Sequence, residues 1–291
     1  MKEPVLETFD APEFDLATTL DSGQVFHWEI VEPGYIGLIG DRAVFVEQRG
    51  DGLSVTRGTA ALVRDYFALD HPLAEICAAF PDDVAMRTAR EYCRGLRIIR
   101  QPIWECLASF ITSSMKQVAH IRQMSRALRE RFGTPCTVNG VRVFAFPSAE
   151  RIAHATELEL RACALGYRAK NLLLTAQRIA AGEADLEAWR ALPDDELRDH
   201  LCSLPGVGAK VANCVMLFAY ERLRAFPIDV WIERVLKERY FPRSRKVTAA
   251  KLRDFCDSYF GEQGGYAQQY LFHHARKTTP RRRAPATRPA K

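Results

Sequence analysis

No stretch of the 291-residue chain approaches the ~18 consecutive apolar residues of a membrane-spanning helix. The eight cysteines stand at 77, 93, 106, 136, 163, 202, 214 and 256 without a C-x-x-C pair, a spacing that argues against a zinc site and against an iron–sulfur cluster. In a reducing compartment they read as free thiols, most of them core residues. The opening MKEPVLETFDAPEFD is acidic and unlike a signal peptide, so the expected location is the cytosol or nucleoid, or the nucleus in a eukaryote. Internal repeats are missing, and so is low-complexity sequence before the last sixteen residues. Basic charge is missing from the body of the chain as well. The formal net charge is +5, but the closing RKTTPRRRAPATRPAK holds seven basic residues and no acid, which leaves 34 basic against 36 acidic residues over 1–275. Nucleic-acid binding by the body must therefore come from local geometry rather than bulk charge. The remainder, 47% hydrophobic and 26% charged, is ordinary for a globular protein of one large or two moderate domains.

The pattern along the chain is α+β. GYIGLIG, RAVFVEQRG and GLSVTRG are short β-rich runs punctuated by glycine, with Gly50-Asp51-Gly52 a turn signal, and they predict an antiparallel sheet near residues 5–58 followed by helices through AALVRDYFAL. From about residue 84 the periodicity becomes helical and stays so. PIWECLASFITSSMKQVAHIRQMSRALRERFG, SAERIAHATELELRACALG, RAKNLLLTAQRIAAG and PDDELRDHLCSLPG each end at a glycine (133, 166, 182 and 206), where a left-handed C-cap is expected. The domains expected are a sheet domain over 1–95, a helical domain over 96–275 and a disordered basic tail over 276–291.

LPGVGAKVANC, residues 204–214, reads as helix, tight turn, helix. Gly206 and Gly208 permit turn dihedrals that other residues avoid, and a second helix starts near Ala209. Together with Val207 they would present free amides that bind a phosphate oxygen with little sequence preference. The plain alternative is an ordinary helix connection. Lys210 falls in the first turn of that helix, where the helix dipole and apolar neighbours disfavour the ammonium form and make an amine nucleophile. The alternative is a snorkelling surface lysine. Cys214 lies one turn on, on the same face. In RLRAFPIDVWIERVL, Asp229 precedes a helical pattern and reads as an N-cap; beside Lys210 it would also stabilise a sugar that becomes cationic while the amine attacks it.

L-P-G-V-G-x-K, the downstream P-I-D and the order of the flanking helices resemble the helix-hairpin-helix base-excision glycosylases, and among them the 8-oxoguanine DNA glycosylase/lyases. The resemblance spans roughly residues 5–275 and includes LDSGQVFHW, YFALDHPLAEI, GLRIIRQPIWECLASFITSS, LGYRAKN and GGYAQQYLF. It implies an N-terminal antiparallel-sheet domain packed on a helical domain, with the site in the cleft between them. Lys210 would be the Schiff-base nucleophile, with strand cleavage by elimination on the 3′ side, and Asp229 would stabilise the cationic sugar. Guanine offers an acceptor at N7 whereas 8-oxoguanine offers N7–H, so one carbonyl separates the two, and the resemblance assigns it to Gly23. Gln268 would read the Watson–Crick edge, and Phe272 and Cys214 would sandwich the base, which must leave the duplex to reach them.

The resemblance also implies double-stranded DNA containing 8-oxoguanine as partner, a monomer, no membrane, no catalytic metal or cofactor, and a structural monovalent cation or calcium at the hairpin carbonyls. Three positions depart from the animal pattern. Met115-Lys116-Gln117 stands in place of three asparagines, so Met115 would fill the space of the flipped base. His120 stands where an arginine reads the estranged cytosine, although its partner Arg168 and the wedge Tyr167 remain. Trp231 stands in place of a DNA-holding histidine. Reduced opposite-base selectivity is expected. Two other readings stand beside this one. An alkylation-repair glycosylase would need neither Lys210 nor the SGQ segment, and a non-catalytic helix-hairpin-helix DNA-binding module would need none of the base-pocket set.

Overall fold

The computed structural model describes residues 5–114, 116–244 and 246–279. Five strands, β1 (Leu6–Asp10), β2 (Glu29–Val31), β3 (Gly34–Ile39), β4 (Arg42–Arg49) and β5 (Gly52–Thr56), form one antiparallel sheet in the order β1-β5-β4-β3-β2. The expected sheet is therefore present over the expected residues. One face is covered by Leu16, Leu20, Val63, Tyr66 and Phe67, which bury Val44, Val46, Leu53 and Val55. The other face is closed by an element that the sequence pattern does not announce. β6 (Pro135–Val138) and β7 (Val141–Phe144) make a two-stranded ribbon inside the region expected to be helical throughout. Val138 and Val143 of the ribbon pack on Ile36, Leu38 and Phe45 of the sheet. Each ribbon strand has four residues, too few for a period of two to stand out between long helices.

The helical layer differs from expectation at three further points. The span from Pro102 to Gly133 is two helices, Ile103–Ser113 and Val118–Phe132, with Ser114, Lys116 and Gln117 outside both. Gly133 is extended rather than left-handed (φ −81°, ψ 159°), whereas Gly166, Gly182 and Gly206 do have positive φ. Gly133 is required for a different reason: a Cβ there would lie 2.0 Å from the Ala145 carbonyl oxygen, so only glycine lets the chain turn into the ribbon. Finally, the last helix, Gly264–Thr278, runs through Arg276 and Lys277. Both pair with Asp21, so the tail does not begin at 276; residues 280–291 lie outside the described residues.

The two cores do not divide at 95/96. Leu73, Ile76, Phe80, Met86, Ala89, Cys93 and Leu96 bury their side chains in the helical core, so the two helices Leu73–Ala78 and Val84–Tyr92 belong with the second layer. A buried charged cluster joins the layers. Arg129 pairs with Glu105 and donates to the Phe144 carbonyl at 3.1 Å, and His27 lies 3.2 Å from Glu105 and 2.8 Å from the Leu38 carbonyl. Burial and the neighbouring Arg129 push the His27 ring well below the usual histidine range.

Candidate active site

The hairpin is built as its sequence suggests at one glycine and differently at the other. The helix Asp194–Cys202 stops before Pro205, Gly206 takes φ +81°, and the helix Ala209–Phe218 follows. A side chain at Gly206 would also collide with Asn171, 2.7 Å from the added Cβ. Gly208 is extended (φ −105°, ψ 179°), a conformation open to any residue. The fold does not require glycine there, and an added Cβ would meet nothing within 4 Å. Val207 is buried and its amide donates to the Leu204 carbonyl at 3.1 Å, so it does not present the free amide expected of it. Among the described residues no side chain caps the helix at Gly208, and none accepts from the first amides of Ala209–Phe218.

The amine and the carboxylate come from two such helix starts. Lys210, half-buried, is the second residue of Ala209–Phe218, with Nζ 5.0 Å from the centre of the Phe110 ring, a cation–π contact. Phe110 is itself stacked on Phe218 (5.5 Å, 14°), so the surface under the ammonium is fixed by the helix Ile103–Ser113. Asp229 caps the helix Val230–Val235, accepting from the Trp231 and Ile232 amides at 3.1 and 2.9 Å. Both readings of Asp229 are thus compatible in one residue. Burial raises its carboxyl pKa, opposed by the Ile232 amide and the Lys210 charge. Burial likewise raises the Cys214 thiol, opposed by Lys210 beside it.

Of the residues expected to line a base pocket, Gly23 and Phe272 meet directly. Gly23 (φ +89°) sits so close to Phe272 that an added Cβ would lie 3.0 Å from the ring. Phe272 and Gln268 stand one turn apart on Gly264–Thr278. Gln268 is 3% exposed, and its Oε1 accepts no hydrogen bond among the described residues. An orphaned acceptor inside a core is costly unless a ligand satisfies it.

The residues expected on DNA fare differently. Tyr167 is 56% exposed at the start of the helix Arg168–Ala180, and His120 is exposed in the first turn of Val118–Phe132. Trp231 is half-buried beside Asp229. Arg168, by contrast, is buried, its guanidinium donating to the Ser114 carbonyl and lying 4.4 Å from the Tyr167 ring centre. It packs against Tyr167, the residue expected to act as a wedge, rather than projecting to solvent. Met115 lies outside the described residues. Sequence reasoning missed Gln101, Gln269 and Arg276, whose side chains hold the loop around Gly23.

Two family models cover nearly all of this framework: the 8-oxoguanine DNA glycosylase N-terminal domain over residues 8–107, and the HhH-GPD superfamily of base excision DNA repair proteins over residues 108–258. An N-glycosylase/DNA lyase of Arabidopsis thaliana is 30% identical over 280 residues, 89% of this chain and 77% of that protein. A probable N-glycosylase/DNA lyase of Methanothermobacter thermautotrophicus is 30% identical over 68% of this chain and 69% of its own length. The 8-oxoguanine glycosylase/lyase of Clostridium acetobutylicum, solved with double-stranded DNA containing cytosine opposite 8-oxoguanine, is 32% identical with a TM-score of 0.87, over 95% of this chain and 99% of that one. The second of these models matches more than half of the chain and spans both Lys210 and Asp229, and the chain belongs to the HhH-GPD superfamily of base excision DNA repair proteins.

Proposed function

We propose that this protein is a bifunctional DNA glycosylase/lyase that excises 8-oxoguanine from duplex DNA. The observation that carries the reading is an amine and a carboxylate at two helix starts together with a buried acceptor, Gln268 Oε1, that has no partner among the described residues. The flipped base stacks on Phe272 and against Cys214, the Gly23 carbonyl accepts from its N7–H, and Gln268 completes its polar edge. The Lys210 amine attacks the anomeric carbon as the bond to the base breaks, and the electron pair and a proton leave with the base. Asp229 offsets the positive charge that builds on the sugar. The C1′–O4′ bond then opens, O4′ taking a proton, to leave a Schiff base between C1′ and the amine, and loss of a C2′ proton expels the 3′ phosphate as the C3′–O bond breaks.

The hairpin supplies the grip. Free amides at Gly208 and the first turn receive a phosphate, and the open space at Gly208 lets the backbone approach closely. The oxygen donors there suit the expected cation. The Leu204 and Pro205 carbonyls each accept one hydrogen bond, from the Val207 amide and the Thr175 hydroxyl, and each keeps a second lone pair. Lys210 favours this reading over alkylation repair, in which a cationic base requires only stacking and a carboxylate. The pocket set favours it over a binding module.

Incubation with an 8-oxoguanine duplex and sodium borohydride tests the chemistry. Wild type should be trapped covalently, and Lys210→Gln should bind the DNA without being trapped. Undiminished trapping of Lys210→Gln would remove the lysine from the mechanism.

A further inference from the structure

The peptide that joins Gly23 to Gln24 is fixed by its neighbours rather than by partners of its own. Among the described residues, no hydrogen bond reaches the Gly23 carbonyl and none leaves the Gln24 amide. Every other carbonyl from Asp21 to Gln24 is held by a side chain from elsewhere in the chain. Arg276 donates to the Asp21 carbonyl, Gln269 Nε2 to the Ser22 carbonyl at 3.0 Å, and Gln101 Nε2 to the Gln24 carbonyl at 2.8 Å. Gln269 and Arg276 stand on the helix that carries Gln268 and Phe272, so the walls of the pocket and the clamp on its loop are one rigid body. Arg276 is 14% exposed at its side chain and is itself anchored by Asp21, which also pairs with Arg122 and Lys277.

A glycine at φ +89° makes this arrangement consequential. Glycine at that φ accepts either setting of ψ, so the peptide that follows it can rotate by about half a turn with little change in the path of the chain, at the cost of carrying Gln24 to positive φ. The rotation would withdraw the Gly23 carbonyl and present the Gln24 amide in its place. An acceptor that matches N7–H of 8-oxoguanine would become a donor that matches N7 of ordinary guanine. We propose that Gln269 and Arg276, with Gln101, are positioning residues that block this rotation, and that they thereby reject undamaged guanine. This rests on the reading of Gly23 as the contact to N7–H.

The test uses full-length protein carrying Lys210→Gln, so that binding is measured without chemistry. Equilibrium affinities are compared for three duplexes that differ at one position opposite cytosine: 8-oxoguanine, guanine and 7-deazaguanine, which lacks the N7 acceptor. Adding Gln269→Met and Arg276→Met should lower the preference for 8-oxoguanine over guanine by about tenfold, the size of one hydrogen bond. Part of that change should be tighter binding of guanine with no gain for 7-deazaguanine, and Arg276→Lys should restore part of the preference. Equal losses for all three duplexes, or an unchanged preference, would overturn the proposal. If the double replacement does not fold, Gln269→Met alone carries the same comparison. Absence of any preference in the Lys210→Gln protein with its loop intact would instead remove the Gly23 reading itself.

Discussion

In the proposed mechanism Asp229 serves two demands that favour different side chains. As a helix cap it needs only an acceptor for the Trp231 and Ile232 amides, which asparagine also supplies. As an electrostatic partner of a cationic sugar it must be ionised in a site where burial disfavours ionisation. Its folded pKa lies above the unfolded value, so ionised Asp229 costs stability at neutral pH. Asp229→Asn should therefore melt at or above the wild-type temperature while single-turnover excision falls by about 10²-fold or more. A lower melting temperature would show that the charge stabilises the fold. His120, exposed on the first turn of its helix, supports a second prediction at this scale. Excision opposite adenine or thymine should approach the rate opposite cytosine, and His120→Arg should widen the gap by ~1–3 kcal/mol, one bidentate contact. Strong cytosine preference that ignores His120 would refute this. Lys210 and Asp229 were legible in the sequence because chemistry and helix punctuation coincide there. Gln268 and Phe272 were legible only by resemblance, since a four-residue spacing on an apolar helix reads as core. Gln269 and Arg276 left no signal, because their targets are backbone carbonyls.

The strands β3 to β5 could be read from the sequence because glycines bound them and their residues are β-branched or aromatic. The ribbon could not, and neither could the break between Ser113 and Val118, a stretch with no glycine or proline. The last helix holds a further element-level feature. His273 is 4% exposed beside Arg276, and burial together with that guanidinium pushes its pKa down to about 4. The unfolded chain binds this proton near pH 6.5, and the folded one holds it off until about pH 4. Stability should thus fall as pH drops through that interval, with the last helix weakened against the Asp21 loop. His273→Gln should show a smaller loss of melting temperature between pH 6.5 and 4 than wild type. Equal losses would assign the acid sensitivity elsewhere, with buried His27 the next group to replace.

At the scale of the whole molecule, charge and fold are separated along the chain. Because Arg276 and Lys277 are committed to Asp21, five basic residues remain beyond residue 279, on a body with no basic excess. If about half of them engage phosphates, truncation after Thr279 should flatten the slope of log affinity against log salt by about 2 units on undamaged duplex. Excision at saturating enzyme should not change, since no expected catalytic residue lies among them. Equal slopes would make the tail inert.

The ribbon has one more consequence, in the order of synthesis rather than in the finished fold. The sheet is complete once Thr56 has emerged, but the residues that cover Ile36, Leu38 and Phe45 end at Phe144. At ~5–20 residues per second the roughly 90 intervening residues take about 5–20 s to make. Throughout that interval each nascent chain shows its neighbours on the same messenger a bare apolar sheet face, which makes crowded translation, more than heat, the condition under which this protein is most exposed to aggregation.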